Sequence, residues 1–341
     1  MDLSLRTDEI QPSLQRFASD TPPSLSVVVP LYNEEEVIEV FHHRLAAVMD
    51  AAGWTWEVVY VDDGSRDGSA AALRALQQRA PNAAVVRLSR NFGKEAAMTA
   101  GLDHAQATEA VIVIDIDLQD PPEVIPDLLA GWQRGFDVVY AQRRSRAGEG
   151  WLKKATAHAF YRVMARIGGP VQLPADVGDF RLMSRRAVDA LLRLRERHRF
   201  MKGLFAWVGF PSLAVPYDRA ARAAGRTKWN YARLLDLSIE GITSFTTVPL
   251  RIATWLGLGT ALVALIYGVR VVLMALLYGD PVPGYPSLMT VVLLLGSVQL
   301  MTLGVIGEYL GRIFNETKQR PLYVVSEHAP SAQAELPDAL L

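Results

Sequence analysis

The amino-acid sequence predicts an α/β fold with a doubly wound, mostly parallel sheet, followed by two C-terminal transmembrane helices. Short β-branched segments alternate with helical segments between residues 25 and 141, which is typical of a parallel sheet covered by helices on both faces. Two later segments, residues 252–269 and 281–307, contain no charged residue. With their flanks, both exceed the ~20 residues that a helix needs to cross a membrane.

The composition excludes several classes of protein. The chain has 341 residues, 50% of them hydrophobic, which is enough for about two domains. Its 35 basic and 36 acidic residues give a net charge of -1, so no global positive field favours nucleic-acid binding. The sequence contains no cysteine, which excludes disulfides, thiolate metal sites and a cysteine nucleophile. Residues 1–24 are a polar leader without the apolar run of a signal peptide, so the bulk of the chain is expected in the cytoplasm.

The order of the elements follows from hydrophobic periodicity. β-Branched runs predict strands, and apolar residues at helical spacing predict the helices that connect them. Strands are predicted at residues 25–30, 56–61, 84–88, 110–114, 137–141, 179–183 and 213–218. Helices are predicted at residues 34–50, 68–80, 93–106, 151–167 and 230–247.

Residues 252–278 and 287–309 predict a transmembrane hairpin. Arg251 and Arg312 lie at its outer flanks, and the short connection between the spans has no Lys or Arg. Cytoplasmic flanks of membrane spans carry the excess of Lys and Arg. Both flanks are therefore expected on the cytoplasmic side of the inner membrane, and the connection on its outer side. A buried helical hairpin of a soluble protein is the alternative. Arg270 in the first span either reaches the outer interface or faces a neighbouring helix, which leaves a homo-oligomer open.

The basic amphipathic helix at 151–167 either lies on an anionic membrane surface or packs on the sheet as a solvated helix.

The sequence predicts that the chain is divided into five parts. They are a polar leader (residues 1–24), an α/β domain (25–229), a juxtamembrane amphipathic helix (230–250), a two-helix transmembrane hairpin (251–311) and a cytoplasmic tail (312–341).

Polar motifs lie at the ends of four predicted strands. In doubly wound sheets, ligands bind outside the carboxyl ends of the strands, so these motifs predict the site. Each also has a purely structural reading: a turn, a solvated loop, or a buried acid paired with Arg181. The motifs are Pro-Leu-Tyr-Asn-Glu at 30–34, Asp-Asp-Gly-Ser at 62–65, Asp-Ile-Asp-Leu-Gln-Asp-Pro-Pro at 115–122 and Val-Gly-Asp-Phe-Arg at 177–181.

Two features favour phosphate chemistry. Asp115 and Asp117 offer the carboxylate oxygens that hard divalent cations such as Mg²⁺ prefer, with substrate phosphates completing the shell. Basic residues cluster at 143–146 and again at 219–228. Such clusters are commonly solvated surface, but guanidinium groups also suit phosphate.

Taken together, the motifs VVVPLYNEE, VDDGS, RNFGKEAAMTAGL, DIDLQDPPE, GDFRLMSR and GRTKW resemble the family-two glycosyltransferases with a GT-A-type, Rossmann-like fold. More narrowly, the chain resembles polyprenyl-phosphate glycosyltransferases, namely the bactoprenol glucosyltransferases and dolichol-phosphate mannose synthases. The closing run GEYLGRIFNETKQRPLYVV is similar to the C-terminal signature of the bactoprenol branch. The resemblance covers residues 25–325. Between the two metal aspartates of the motif, relatives often carry Ala or Ser, whereas this chain has Ile116.

The resemblance implies a role for each motif residue. The nucleotide sugar would be held by Pro30, Tyr32, Glu34, Asp62, Asp63, Lys94, Asp115 and Gln119. Asp115, Asp117 and Gln119 would bind Mg²⁺ or Mn²⁺, Asp117 and Asp179 would be catalytic, and Asp179 would lie on the acceptor side. Phosphate of the acceptor or donor would be bound by Arg143, Arg222, Arg226 and Lys228.

The reaction that the resemblance implies is inverting transfer of a hexose from a nucleoside diphosphate sugar, with UDP-glucose first among the donors. The acceptor would be undecaprenyl phosphate or another polyprenyl phosphate. Because that phosphate is already ionised at neutral pH, Asp179 is expected to orient substrate first and to act as a base second. Two alternatives are a processive polysaccharide synthase, whose Gln-x-x-Arg-Trp motif this sequence lacks, and a non-catalytic membrane protein that binds nucleotide sugar or lipid carrier.

Overall fold

A computed structural model of the protein describes residues 24–144, 177–197, 199–219, 248–278 and 284–331. Several predictions fall on other residues and lie outside this description. They are the polar leader, the basic helix at 151–167, the phosphate-binding residues Arg222, Arg226 and Lys228, the helix at 230–247, and most of the connection between the spans.

Eight strands form one sheet. Seven of them match the strands predicted from the sequence to within a few residues, and the eighth was not predicted. The strands are β1 (Ser24–Leu31), β2 (Thr55–Asp62), β3 (Ala83–Leu88), β4 (Ala110–Val113), β5 (Val138–Arg143), β6 (Val177–Ser184), β7 (Ser212–Tyr217) and β8 (Val325–Ala329).

The sheet is mixed, with a parallel centre. Its order is β7-β5-β6-β4-β1-β2-β3-β8. β1 pairs in parallel with β2 and β4, and β2 with β3, which confirms the predicted doubly wound centre. β6 runs antiparallel to β4 and β5, and β8 runs antiparallel to β3. Because β6 runs the opposite way, its beginning lies at the edge where β4 ends.

Helices cover both faces of the sheet. Along β1, Val27 and Val29 pack into one apolar cluster, and Val28 packs into the other. The helices are α1 (Ile38–Ala51), α2 (Ser69–Gln77), α3 (Lys94–His104), α4 (Ile125–Gln133), α5 (Arg185–Leu192), α6 (Met201–Trp207), α7 (Val248–Tyr278) and α8 (Tyr285–Thr317). Side chains of α1, α2 and α4 belong to the first cluster, and side chains of α3, α5 and α6 belong to the second.

α7 and α8 are the two helices of the predicted hairpin. Within them, Val248–Arg270 and Thr290–Thr317 are long and apolar enough to cross a membrane. Large apolar side chains on both helices are exposed, including Leu276 at 77% and Leu300 at 72%. Exposed apolar surface of this extent is not typical of a core helix in a soluble protein. Both helices also continue beyond the predicted spans of 252–278 and 287–309.

β8 lies within residues 312–341, which the sequence assigned to a cytoplasmic tail. It adds to the free edge of β3, where the Ser89 amide also donates to the Val324 carbonyl over 2.8 Å. After β8, the Ser331 hydroxyl donates to the buried Glu57 carboxylate over 3.0 Å. The sequence of β8, Val-Ser-Glu-His-Ala, lacks a β-branched run, so its strand conformation depends on the edge hydrogen bonds of β3.

Candidate functional site

Loops after β1 and β2 interlock at the carboxyl edge of the sheet. The Asn33 amide donates to the Ser65 hydroxyl over 2.9 Å, and the Glu34 amide donates to the Ser69 hydroxyl over 3.0 Å. These bonds hold residues 32–37 as a turn, so α1 begins at Ile38 and not at residue 34 as predicted. The turn keeps Tyr32 and Glu34 half-buried at the rim of the sheet.

Pro30 lies within β1, opposite Val61, and is buried. On the neighbouring strand the Asp62 carboxylate is fully buried, and it accepts from the Ser65 amide over 2.8 Å. Its other oxygen lies 3.4 Å from Nε of Arg87 on β3. The structure therefore places Pro30 and Asp62 at adjacent strand ends.

Asp63 connects two loops. Its carboxylate accepts from the amides of Phe92 and Gly93 over 2.7 and 2.9 Å. Burial raises the pKa of Asp63, and the two amide hydrogen bonds oppose that rise. Because both carboxylate oxygens accept backbone amides, Asp63 fixes the loop that precedes α3.

Gly64 is expected to tolerate no side chain. Its φ is 67°, and a Cβ there would lie 2.5 Å from the carbonyl carbon of Arg90. Gly64→Ala should lower the free energy of unfolding by about 2 kcal/mol or more, through backbone strain and overlap. Gly53→Ala is the matched control, with a φ of 72° and no described atom within 4 Å, and it should cost only about 1 kcal/mol. Thermal unfolding in detergent measures both, and equal losses would contradict the overlap.

Lys94 joins the two acids at the centre of the edge. Its ammonium nitrogen lies 2.7 and 2.8 Å from the two carboxylate oxygens of Asp115, and 2.6 Å from Oδ2 of Asp179. The cause is strand register: the last residue of β4, Val113, pairs with Arg181. Asp115 follows Val113 by two residues and Asp179 precedes Arg181 by two residues, so both acids lie at the same edge of the sheet. α3 begins at Lys94 and presents its side chain to both acids.

This contact controls the charge of the pair. Burial of the Asp179 carboxyl opposes ionisation, but the ammonium of Lys94, and then that of Lys202, outweigh it and hold its pKa well below the usual range. Partial removal from water alone would lower the pKa of Lys94, but Asp115 and Asp179 raise it instead. Asp179 therefore carries a full negative charge at neutral pH, and Lys94 a full positive one.

Asp117 and Gln119 lie on the loop that follows β4. The Gln119 amide donates to Asp117 Oδ1 over 3.1 Å, and Leu118 between them has a φ of 58°. Within the ranges that the structure describes, no three His, Cys, Asp or Glu residues form a cluster that could hold a metal ion. Two carboxylates nevertheless fit a hard cation whose remaining ligands are substrate phosphates and water. The carboxylate oxygens of Asp115 and Asp117 and the side-chain amide oxygen of Gln119 are ligands of this kind.

The sequence did not assign a role to Asp120 and Tyr217, which contact the guanidinium groups of Arg143 and Arg219. Asp120 is buried and accepts a short hydrogen bond from the Tyr217 hydroxyl. Arg143 Nε donates to that hydroxyl over 3.4 Å, and Arg219 Nε lies 3.7 Å from Asp120. Arg143 therefore occupies the edge predicted for phosphate binding, held there by a tyrosine that only the fold brings close.

Glu95 and Lys202 are further residues that sequence patterns did not single out. Burial raises the pKa of Glu95 to about 7, and the nearby charge of Asp179 contributes to the rise. Its carboxylate accepts from the Met201 amide over 3.1 Å, which fixes the start of α6 against α3. No local signal marks these residues, because Glu95 is on α3 and Lys202 on α6, and only the packing of both helices against the sheet relates them to β6.

Comparison with known proteins agrees with this architecture. Residues 26–192 match the family model of glycosyl transferase family 2, and residues 248–313 match that of the GtrB C-terminal hairpin. The bactoprenol glucosyl transferase of Shigella phage SfV is 46% identical over 301 residues, covering 88% of this chain and 97% of the relative. The chain belongs to glycosyl transferase family 2. It is a glycosyltransferase with a GT-A-like mixed sheet, as the sequence motifs predicted.

Two other relatives of this family 2 glycosyltransferase match over similar lengths. A prophage bactoprenol glucosyl transferase homolog of Escherichia coli K12 is 46% identical over 301 residues, 88% of this chain and 98% of the relative. An uncharacterized glycosyltransferase of Synechocystis is 50% identical over 303 residues, 89% of this chain and 95% of the relative. The crystal structure of mannosyl-3-phosphoglycerate synthase from Rubrobacter xylanophilus gives a TM-score of 0.44 at 19% identity, covering 65% of this chain and 72% of that one.

Proposed function

We propose that this glycosyltransferase transfers glucose from UDP-glucose to a polyprenyl phosphate, with inversion at the anomeric carbon. The observation that carries the proposal is the contact of Lys94 with Asp115 and Asp179, where a cation separates two acids at the sheet edge. Two further findings support it. The chain has two helices long and apolar enough to cross a membrane, and relatives that are 46% identical carry the name bactoprenol glucosyl transferase.

The nucleotide would bind over the ends of β1 and β2. There, the half-buried Tyr32 and Glu34 follow β1, next to the buried Pro30 and Asp62. Asp63 would act indirectly, because it holds the loop at Phe92 and Gly93 from which Lys94 projects. A diphosphate that extends from this position along the sheet would reach β4, the strand that ends before Asp115.

The leaving diphosphate would be stabilised at Asp115, Asp117 and Gln119. A divalent cation held by these residues, Mg²⁺ or Mn²⁺, would supply Lewis-acid stabilisation of the leaving group. Lys94 adds a positive charge that is already in place, and preorganised charge of this kind stabilises the negative charge that develops as the glycosidic bond breaks. Because Lys94 also contacts Asp179, it connects the donor half of the site to the acceptor half.

Asp179 would orient the acceptor or the sugar. A carboxylate whose pKa is held far below the usual range is a weak base, since Lys94 stabilises its ionised form. A phosphate monoester needs little help from a base, because its second pKa is about 6 and it is mostly dianionic at neutral pH. Arg143 would bind phosphate at the same edge, together with Arg222, Arg226 and Lys228.

Mass spectrometry of the lipid product tests the proposed reaction. Membranes that contain the protein would be incubated with short-chain polyprenyl phosphate and one nucleotide sugar at a time. The nucleotide sugars are UDP-glucose, UDP-galactose, UDP-N-acetylglucosamine and GDP-mannose. We expect a polyprenyl-phosphate hexose with UDP-glucose, and none when the phosphate-free polyprenol is the acceptor. A growing polysaccharide would support a processive synthase, and binding of the donor without any product would support a non-catalytic carrier protein.

We propose that both ends of the hairpin face the cytoplasm, where the nucleotide sugar is available. Arg251 lies near the start of α7 and Arg312 near the end of α8, and the positive-inside rule places such ends on the cytoplasmic side. In this cysteine-free chain, Pro283→Cys should be labelled by a membrane-impermeant thiol reagent in intact cells. Arg193→Cys, at an exposed position of the α/β domain, should be labelled only after cells are broken. The reverse pattern would invert the topology.

A further inference from the structure

We propose that Tyr217, held by the buried Asp120, positions the guanidinium of Arg143 to bind the phosphate group of the lipid acceptor. This assignment rests on the proposed function, because it names two positioning residues for the acceptor of that reaction. The carrying observation is a chain of two hydrogen bonds. The Tyr217 hydroxyl donates a short hydrogen bond to Oδ1 of Asp120 and accepts from Nε of Arg143 over 3.4 Å.

The fold fixes the ring of Tyr217 at the end of β7. β5 pairs in parallel with β7, and this register places Arg143 opposite Tyr217. The buried Tyr217 ring meets the buried Phe180 ring edge to face, with 6.3 Å between the two centroids. Asp120 is 1% exposed and approaches from the loop that follows β4. Because both partners are buried, the hydrogen bond between Tyr217 and Asp120 is shielded from competing water.

The Tyr217 hydroxyl has one role toward each neighbour. Burial raises the pKa of Tyr217, and the negative charge of Asp120 adds to the rise, so the hydroxyl keeps its proton at neutral pH. A carboxylate accepts that proton, whereas a guanidinium can only donate. The lone pairs of the hydroxyl are therefore left for Nε of Arg143. Donation to Asp120 polarises the hydroxyl and strengthens it as an acceptor for Arg143.

The Arg143 guanidinium has room for an anion. In the described part of the chain, its only hydrogen bond runs from Nε to Tyr217, and it forms no ion pair there. Its two terminal nitrogens are thus available to donate, and paired N–H groups of this kind match two oxygens of a phosphate. Arg143 is half-buried, so its side chain is open to a ligand.

A second group of Asp, Tyr and Arg in the same chain has the contrasting arrangement. Arg195 donates through both terminal nitrogens to the Asp103 carboxylate, over 2.7 and 2.8 Å, and the Tyr323 hydroxyl donates to the same carboxylate over 2.6 Å. There the carboxylate occupies the guanidinium directly. At the sheet edge, Tyr217 stands between the acid and the guanidinium, which leaves the guanidinium to another anion.

The position of Arg143 favours the acceptor phosphate over the donor diphosphate. A Cβ on Gly178 would lie 3.3 Å from Nη2 of Arg143 and 3.7 Å from Oδ2 of Asp120. The guanidinium therefore lies against the residue that precedes Asp179, the acid expected on the acceptor side. β4 and β6 lie between β5 and the nucleotide residues at the ends of β1 and β2. A donor that extends from β2 to Asp115 leaves the space at Arg143 to the acceptor.

A double-mutant cycle on acceptor kinetics tests this assignment. Tyr217→Phe keeps the ring and removes the hydroxyl, so it should raise the KM for a short-chain polyprenyl phosphate about 10-fold. The KM for UDP-glucose should change by less than about 2-fold. Arg143→Met should raise the acceptor KM about 10- to 100-fold. In the Arg143→Met background, Tyr217→Phe should have no further effect, because a positioning residue acts through the group that it holds.

Two further variants complete the test. Asp120→Asn removes the charge that orients the Tyr217 hydroxyl and should raise the acceptor KM as Tyr217→Phe does. Tyr323→Phe is the matched control, because it removes the same hydroxyl from the hydrogen bond to Asp103. It should leave the KM for both substrates unchanged.

The outcomes separate this assignment from the proposed function. If the wild type forms no glucosyl lipid, the proposed function fails, and binding of polyprenyl phosphate and of polyprenol to wild type and Tyr217→Phe still tests the tyrosine. Equal affinities of both proteins for the phosphate then overturn its role. With an active wild type, the role is wrong if Tyr217→Phe changes neither KM, changes only that for UDP-glucose, or multiplies the effect of Arg143→Met. If thermal unfolding shows that Tyr217→Phe does not fold, Asp120→Asn replaces it in the cycle.

Discussion

Asp117→Asn is expected to lower turnover about 10³-fold, because several kcal/mol of leaving-group stabilisation depend on the charge of the metal ligands. The amide keeps the shape of the carboxylate and can still accept from the Gln119 amide, whose bond to Asp117 Oδ1 is 3.1 Å long. The local loop should therefore fold as in the wild type. The affinity of Asp117→Asn for Mn²⁺ in the presence of UDP should fall in parallel with its turnover.

Direct titration of Mn²⁺ by electron paramagnetic resonance provides the readout that does not depend on catalysis. Asp127→Asn is a matched control, because it makes the same change on the exposed side of α4. It should leave Mn²⁺ binding and turnover unchanged. Wild-type activity of Asp117→Asn in the presence of a chelator would refute the role of Asp117 in metal binding.

Lys94→Met is expected to lower turnover about 10²–10³-fold, comparable to the loss of one preorganised donor from an oxyanion site. Unlike Asp117→Asn, this variant should bind the metal ion more tightly than the wild type. In the wild type, the Lys94 ammonium lies 2.7 Å from Asp115 Oδ1 and neutralises the acid on which a cation would depend. Without the ammonium, Asp115 and Asp179 lose the positive charge that lies between them, so the variant should bind Mn²⁺ more tightly than the wild type when no donor is present.

Lys94→Arg keeps a positive charge between the two acids and should restore the wild-type affinity for Mn²⁺. Asp117→Asn and Lys94→Met should thus both lower turnover but change the affinity for Mn²⁺ in opposite directions. Weaker Mn²⁺ binding by Lys94→Met would show that Lys94 supports the metal site and does not compete with it. Thermal unfolding with and without Mn²⁺ gives a second measure, since the cation should stabilise Lys94→Met more than the wild type.

The carboxyl edge of the sheet could be predicted from the sequence because strand and helix alternate there. Each β-branched run ends in a polar motif, and parallel strands bring their carboxyl ends to one edge. Tyr32, Asp62 and Asp115 were placed correctly at strand ends by this reasoning. The predicted start of α1 was less accurate, because the hydroxyl groups of Ser65 and Ser69, which follow β2, stabilise a turn before Ile38.

β8 shows why residues after the hairpin could not be predicted. Its five residues carry no strand pattern, and its register against β3 is set by hydrogen bonds with residues more than 200 positions earlier in the chain. A local pattern contains no information about such a partner. The same holds for the Tyr217 hydroxyl on Asp120, which depends on β7 lying at the far edge of the sheet.

The sequence by itself determined the doubly wound α/β fold, the apolar hairpin and the acids that line the sheet edge, because periodicity and strand-end motifs are local properties. The tertiary structure alone decided which charges meet. Lys94 reaches both Asp115 and Asp179 because β6 runs antiparallel to β4 and brings Asp179 to the edge of the sheet where Asp115 lies. Electrostatic energy depends on distances of a few ångströms, and those distances are fixed by register and packing, which no single segment of the sequence encodes.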